Sequence, residues 1–121
     1  MTNAEEMEQV ESQIQISIEA AKEAVSRKNM MDELIRDKRF ETLFSVGYLE
    51  KEPARLTSLF ADAEWQTEEK QQSLIDDLRA ISSFRQYVLA IKAMGTQMER
   101  QIAGSEAQLE EMRNEADAEG E

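Results

Sequence analysis

The sequence predicts an all-α chain: two long helices forming a helical hairpin or coiled coil, joined by short helices in an aromatic-rich segment. Three observations carry this. The 121 residues include four glycines and one proline, so few breakers interrupt the chain. Charged residues make up 33%, hydrophobic ones 40% and aromatics only 6%, which suits long exposed helices better than a sheet. Apolar residues recur at three- and four-residue steps in the first third, and as a seven-residue repeat in the last. At this length a single domain over residues 1–121 is expected.

The first long helix is expected over residues 4–36. Asn3 and Glu6 have capping-box spacing, and Glu5 and Glu6 fall in a first turn, where the helix dipole favours acidic groups. Its stripe reads Met7, Val10, Ile14, Ile18, Ala21, Val25, Met31 and Ile35, with one longer gap across Arg27 to Met30. At ~1.5 Å per residue such a helix reaches around 50 Å, so its apolar face requires a neighbouring helix.

Residues 37–66 are expected to hold short helices and the aromatic core. Phe40, Phe44, Tyr48, Phe60 and Trp65 are five of the seven aromatics, and Pro53 is the only proline. Phe40, Leu43 and Phe44 make one apolar helical face, which Gly47 is expected to end in a left-handed conformation. Leu56, Leu59 and Phe60 make a second, with Pro53 suited to the first turn of their helix. Phe84 and Tyr87 follow in the last helix, so the well-filled core belongs where the two regions meet.

The second long helix is expected over residues 67–113, with Thr67 as its N-cap. One heptad series reads Leu74, Ile81, Val88, Gly95, Ile102, Leu109 and Ala116. The interleaved series reads Asp77, Phe84, Ile91, Met98, Ser105 and Met112. Nine of these thirteen positions are large apolar residues, as a coiled-coil seam requires. Ile75, Leu78 and Leu89 widen the stripe near its start, and Asp77 and Ser105 would fix register at a cost in stability. Gly104 with Ser105 offers an alternative in which one helix ends and another begins. Residues 114–121 read as a frayed acidic tail.

Function is bounded first by what is missing. The chain has no histidine and no cysteine, so it holds no imidazole base, thiolate nucleophile or Cys/His metal site. Carboxylate doublets occur at Glu5-Glu6, Glu68-Glu69, Asp76-Asp77 and Glu110-Glu111, but neighbours on a helix diverge by about 100° and do not converge on a reacting atom. Catalytic activity is not expected. No Gly-rich phosphate loop or calcium loop occurs, so no cofactor or metal is expected. No apolar run is long enough to cross a membrane, and the cytoplasm is the expected compartment.

The net charge of −12 is concentrated at the ends. Residues 1–19 carry five acidic groups and no basic one, and residues 106–121 carry seven against Arg113 alone. An antiparallel hairpin would bring these ends together. Solubility accounts for such charge without a partner. Direct nucleic-acid binding is not expected, since Arg79, Arg85, Lys92 and Arg100 are the nearest approach to a basic cluster. A DNA mimic would spread its carboxylates along the whole chain.

What remains is a partner-binding surface, contributed by Phe40, Phe44, Tyr48, Phe60, Trp65, Ile81, Phe84, Val88, Ile91, Met98, Ile102 and Leu109. The partner would be a second copy or another protein, unless the stripe packs only on the chain's own first helix. Met30, Met31, Met94, Met98 and Met112 would make such a surface adaptable, or fill the core.

Arg39-Phe40, Gly47-Tyr48-Leu49, Glu52, Arg55-Leu56, Ala80-Ile81 and Phe84-Arg85-Gln86-Tyr87 resemble a pattern in small acidic helical proteins of tailed bacteriophages, over roughly residues 36–110. The resemblance implies a virion-assembly or structural accessory role in the host cytoplasm, with association to the virion, and no catalytic residue. The chain departs from internal scaffolding proteins in lacking a basic C-terminal helix pair. A phage-encoded acidic inhibitor of a host protein is the alternative.

Overall fold

Every fourth and then third residue of the first helix is withdrawn from water, and that rhythm fixes the architecture. The computed structural model describes residues 4–120. Helix α1 spans Ala4–Arg36, α2 is the single turn Lys38–Phe40, a π-helix covers Glu41–Lys51, α3 spans Glu52–Leu59, a 3-10 turn covers Ala63–Trp65, and α4 spans Glu68–Glu119. No strand occurs among the described residues. The expected cap at Asn3 lies outside them. No helix among them is long and apolar enough to cross a membrane.

The chain forms two compact units, one from the described residues of Met1–Asn29 with Lys92–Glu121, the other from Met30–Ile91. In the first unit α1 and α4 run antiparallel. On α1, Met7, Glu11, Ile14, Ile18, Ala21, Val25 and Lys28 are buried or half-buried, at alternating steps of four and three. Val10, expected in the stripe, is instead 39% exposed, because Glu11 takes the inward position with its stem. The apparent gap after Val25 is filled by Lys28, whose Nζ reaches Glu99 Oε1 at 2.9 Å. On α4 the facing positions are Gly95, Met98, Ile102, Ser105, Leu109 and Met112. Gln101 Nε2 donates to Ser17 Oγ at 3.2 Å.

Helix α4 runs unbroken through Gly104, where an added Cβ would meet no atom within 4 Å. The interruption that glycine allowed is therefore absent. The helix also continues to Glu119, past the point at which fraying was expected. Glutamate and alanine, which dominate the closing stretch, are strong helix formers.

The second unit is centred on Leu56, Leu74 and Ile81, which retain 4%, 0% and 3% of their exposure. Tyr48, Leu49, Leu59, Phe60, Trp65 and Leu78 pack around them. The centre is aliphatic and the aromatics form its half-buried wall. Asp77, expected in the seam, is exposed; Leu78 takes the inward position, so the charge stays hydrated. Gly47 does not adopt a left-handed conformation, and no described residue does. It lies inside the π-helix, and the Glu52 N–H bonds back to its carbonyl across five residues.

Candidate functional site

The first long helix is stopped by one residue. Asp37 leaves helical geometry at φ −68° and ψ 127°, and its Oδ1 accepts from the Arg39 backbone N–H at 2.8 Å, starting α2. The same carboxylate holds the Arg39 guanidinium through Nε at 3.1 Å and Nη2 at 2.8 Å. Those bonds hold the Asp37 carboxyl below its ordinary value and raise the guanidinium.

Beyond this corner the aromatics form a connected row. Phe40 stacks on Phe44 at 5.1 Å between centroids, Phe44 on Phe84 of α4 at 6.2 Å, and Tyr48 meets Phe84 edge-on at 5.7 Å. The π-helix is tied to α4 by the Arg85 guanidinium, which donates to the Leu49 carbonyl. Arg55 pairs with Glu52 one turn back, which lowers the Glu52 carboxyl.

The turn between α3 and α4 is held by amides. Gln66 Nε2 donates to the carbonyls of Phe60 and Asp62 at 2.9 and 2.6 Å, and Gln71 Nε2 donates to that of Trp65 at 2.6 Å. Lys70 Nζ reaches the Glu64 carbonyl at 2.7 Å and lies 5.7 Å from the centre of the Trp65 ring. Thr67 Oγ1 accepts from the Lys70 N–H at 3.3 Å, so Thr67 caps α4. Gln66 and Gln71 carry no sequence signal for this role, because a surface glutamine and a loop-binding one look alike.

The partner-binding residues expected from sequence separate by burial. Ile81 and Leu109, at 3% and 4% exposure, are committed to the chain's own packing and offer no surface. Phe40, Tyr48, Phe60, Trp65, Phe84, Val88, Ile91, Met98 and Ile102 are half-buried, and Phe44 is 40% exposed. The structure joins Phe40, Phe44, Tyr48 and Phe84 in one row, while Phe60 and Trp65 flank the Leu74 core instead. Met98, Ile102 and Leu109 belong to the other unit.

A more open apolar face lies outside the heptad register. Met30, Leu34 and Leu43 are 58%, 46% and 65% exposed. A shallow groove of about 250 Å³ runs between Leu34, Asp37, Arg39, Phe40, Leu43 and Phe44. It adjoins a second of about 270 Å³, lined by Met30, Glu33, Leu34 and Asp37. Leu34 was not singled out from sequence. Its signal was the Met30–Leu34 pair, one turn apart and off the inward positions Met31 and Ile35.

No protein family, curated protein or solved structure matches the chain. Among the described residues, no group of three or more acidic side chains is arranged to hold a metal ion. Glu68, Glu69, Asp76 and Asp77 do share one face with Gln72 and Ser73, spaced four and eight apart. That face is lined by α4 alone and every one of these carboxylates is exposed. It is an exposed face of a single helix.

Proposed function

We propose that this chain is a non-enzymatic helical assembly protein, a phage virion-assembly or structural accessory factor that engages its partner through the aromatic segment and the apolar face beside it. The observation that carries the reading is the face itself: Leu43, Met30, Leu34 and Phe44 stay 40–65% exposed while the aliphatic core of the same unit is closed. Contiguous apolar surface on an otherwise highly charged chain favours a protein partner. The resemblance over residues 36–110 supports the phage setting, and the action would take place in the host cytoplasm with carriage into the virion.

The test is genetic and structural. Removing the gene from its source and imaging the particles by electron microscopy should reveal fewer or malformed virions. Complementation with Leu43→Asp should fail where the unaltered gene succeeds. Normal particle number and form without the gene would sink the reading.

A further inference from the structure

We propose that the apolar face of Met30, Leu34, Leu43 and Phe44 is a two-fold interface that binds a second copy of this chain. This deepens the assembly reading and rests on it for the choice of face. Two properties of the face select that occupant.

The first is size. At their fractional exposures the four side chains present roughly 400 Å² of apolar surface, within the range of a monomer's largest patch. Interfaces between separately folded proteins are only a little more than half apolar, so such a patch corresponds to roughly 700 Å² per partner. That approaches the ~800 Å² a side of a standard specific interface.

The second is charge. Leu34 and Asp37 are common to both grooves, Glu33 lines only the Met30 groove, and Arg39 lines only the Leu43 groove. The face therefore carries the Glu33 carboxylate in one groove, the Arg39 guanidinium in the other, and the Asp37 carboxylate in both. A two-fold arrangement that sets each Glu33 against the other chain's Arg39 would supply the self-complementarity an isologous interface needs. Asp37 occupies Nε and Nη2 of Arg39. With the side chain 87% exposed, the other edge of the fork stays open to a second carboxylate.

Sedimentation equilibrium of the full chain over a wide concentration range tests this. The unaltered chain should show a reversible monomer–dimer equilibrium. Leu43→Asp should raise the dissociation constant about 30-fold or more while leaving the helical circular dichroism unchanged, since Leu43 is exposed in the monomer. Leu34→Asp, on α1 and clear of the π-helix, should do the same and guards against a folding defect at residue 43. Glu33→Arg and Arg39→Glu should each weaken self-pairing. Mixed together they should form a heterodimer, because the two substituted side chains then face each other with opposite charge and the native Glu33–Arg39 pair survives on the opposite side. A chain monomeric at every concentration overturns self-pairing, as does a dimer indifferent to both aspartates or a charge-swapped pair that fails to associate. A monomeric chain that particle formation still requires, in a Leu43-dependent way, overturns self-pairing and leaves the assembly reading standing with another protein as the occupant.

Discussion

Gly95 of α4 lies against Lys28 of α1 so closely that a Cβ added to the glycine would fall 2.2 Å from the lysine Cβ. The absent side chain makes the contact. It leaves a slot in which the lysine stem lies on the neighbouring backbone, 20% exposed as a side chain, and its ammonium reaches Glu99.

Gly95→Ala should therefore destabilise the antiparallel pair. The clash falls on a Cβ, which cannot rotate away, so the helices must separate locally. Overpacking of this kind costs about 1–3 kcal/mol, more than the helix-propensity gain of about 1 kcal/mol returns. Thermal unfolding followed by circular dichroism measures it. An unchanged or raised midpoint would mean that the helices do not approach at this pair.

Gly47 and Gly104 both sit inside helices, yet alanine should act on them with opposite signs. At Gly104 the added methyl meets nothing within 4 Å, and the change should stabilise by about 1 kcal/mol. At Gly47 it would lie 2.7 Å from the Thr42 carbonyl oxygen, a backbone atom five residues back in the π-helix. The backbone would have to shift, and a loss of about 1–3 kcal/mol is expected. Stabilisation by both substitutions, measured by denaturant unfolding, would show that the Glu41–Lys51 segment winds as an ordinary α-helix.

The same comparison shows what one sequence discloses. Leu74, Ile81 and Leu109 announced the inward face of α4 because bulky apolar residues at heptad spacing have few other uses. Lys28 and Gly95 were unreadable as a pair, since a lysine looks solvated and a glycine looks like a gap until their helices are opposed. Asp77 entered the seam because a strict seven-residue count selects it, whereas Leu78, one residue on, avoids burying a charge. The π-helix left no trace, as the residues of Glu41–Lys51 suit an α-helix equally well. The aromatic row was foreseeable in part: Phe40, Phe44 and Tyr48 share a face by spacing, but their meeting with Phe84 depends on how the chain returns. Met30 was named only among the methionines, and Leu34 was missed, because both fall off the register that organises the rest of α1.

Within the second unit, Leu74 has no exposed surface and Leu89 on the same helix is 58% exposed. Leu74→Ala should cost about 2–5 kcal/mol through lost burial and the cavity left among Leu56, Ile81 and their neighbours. Leu89→Ala should change stability by less than about 0.5 kcal/mol. Chemical denaturation of the two variants in parallel reads the difference. Equal losses would place the core elsewhere.

Acid should loosen the Asp37 corner before it disturbs the aliphatic core. The Arg39 guanidinium, and then the Arg39 backbone N–H, hold the Asp37 carboxyl below its ordinary value. A carboxyl whose folded-state value is depressed contributes stability above the ordinary carboxylate range, about pH 4, and loses it as pH falls through the folded-state value. Protonation removes charge from both Arg39 contacts and weakens the cap that starts α2. Amide exchange at Arg39, corrected for intrinsic rate, should accelerate as pH is lowered below that range, while an amide near Leu74 stays protected. Asp37→Asn retains an oxygen for the cap but has no charge to lose, so exchange at Arg39 should become insensitive to pH in this variant. Identical pH profiles in the variant and the unaltered chain would assign the acid response to groups other than Asp37.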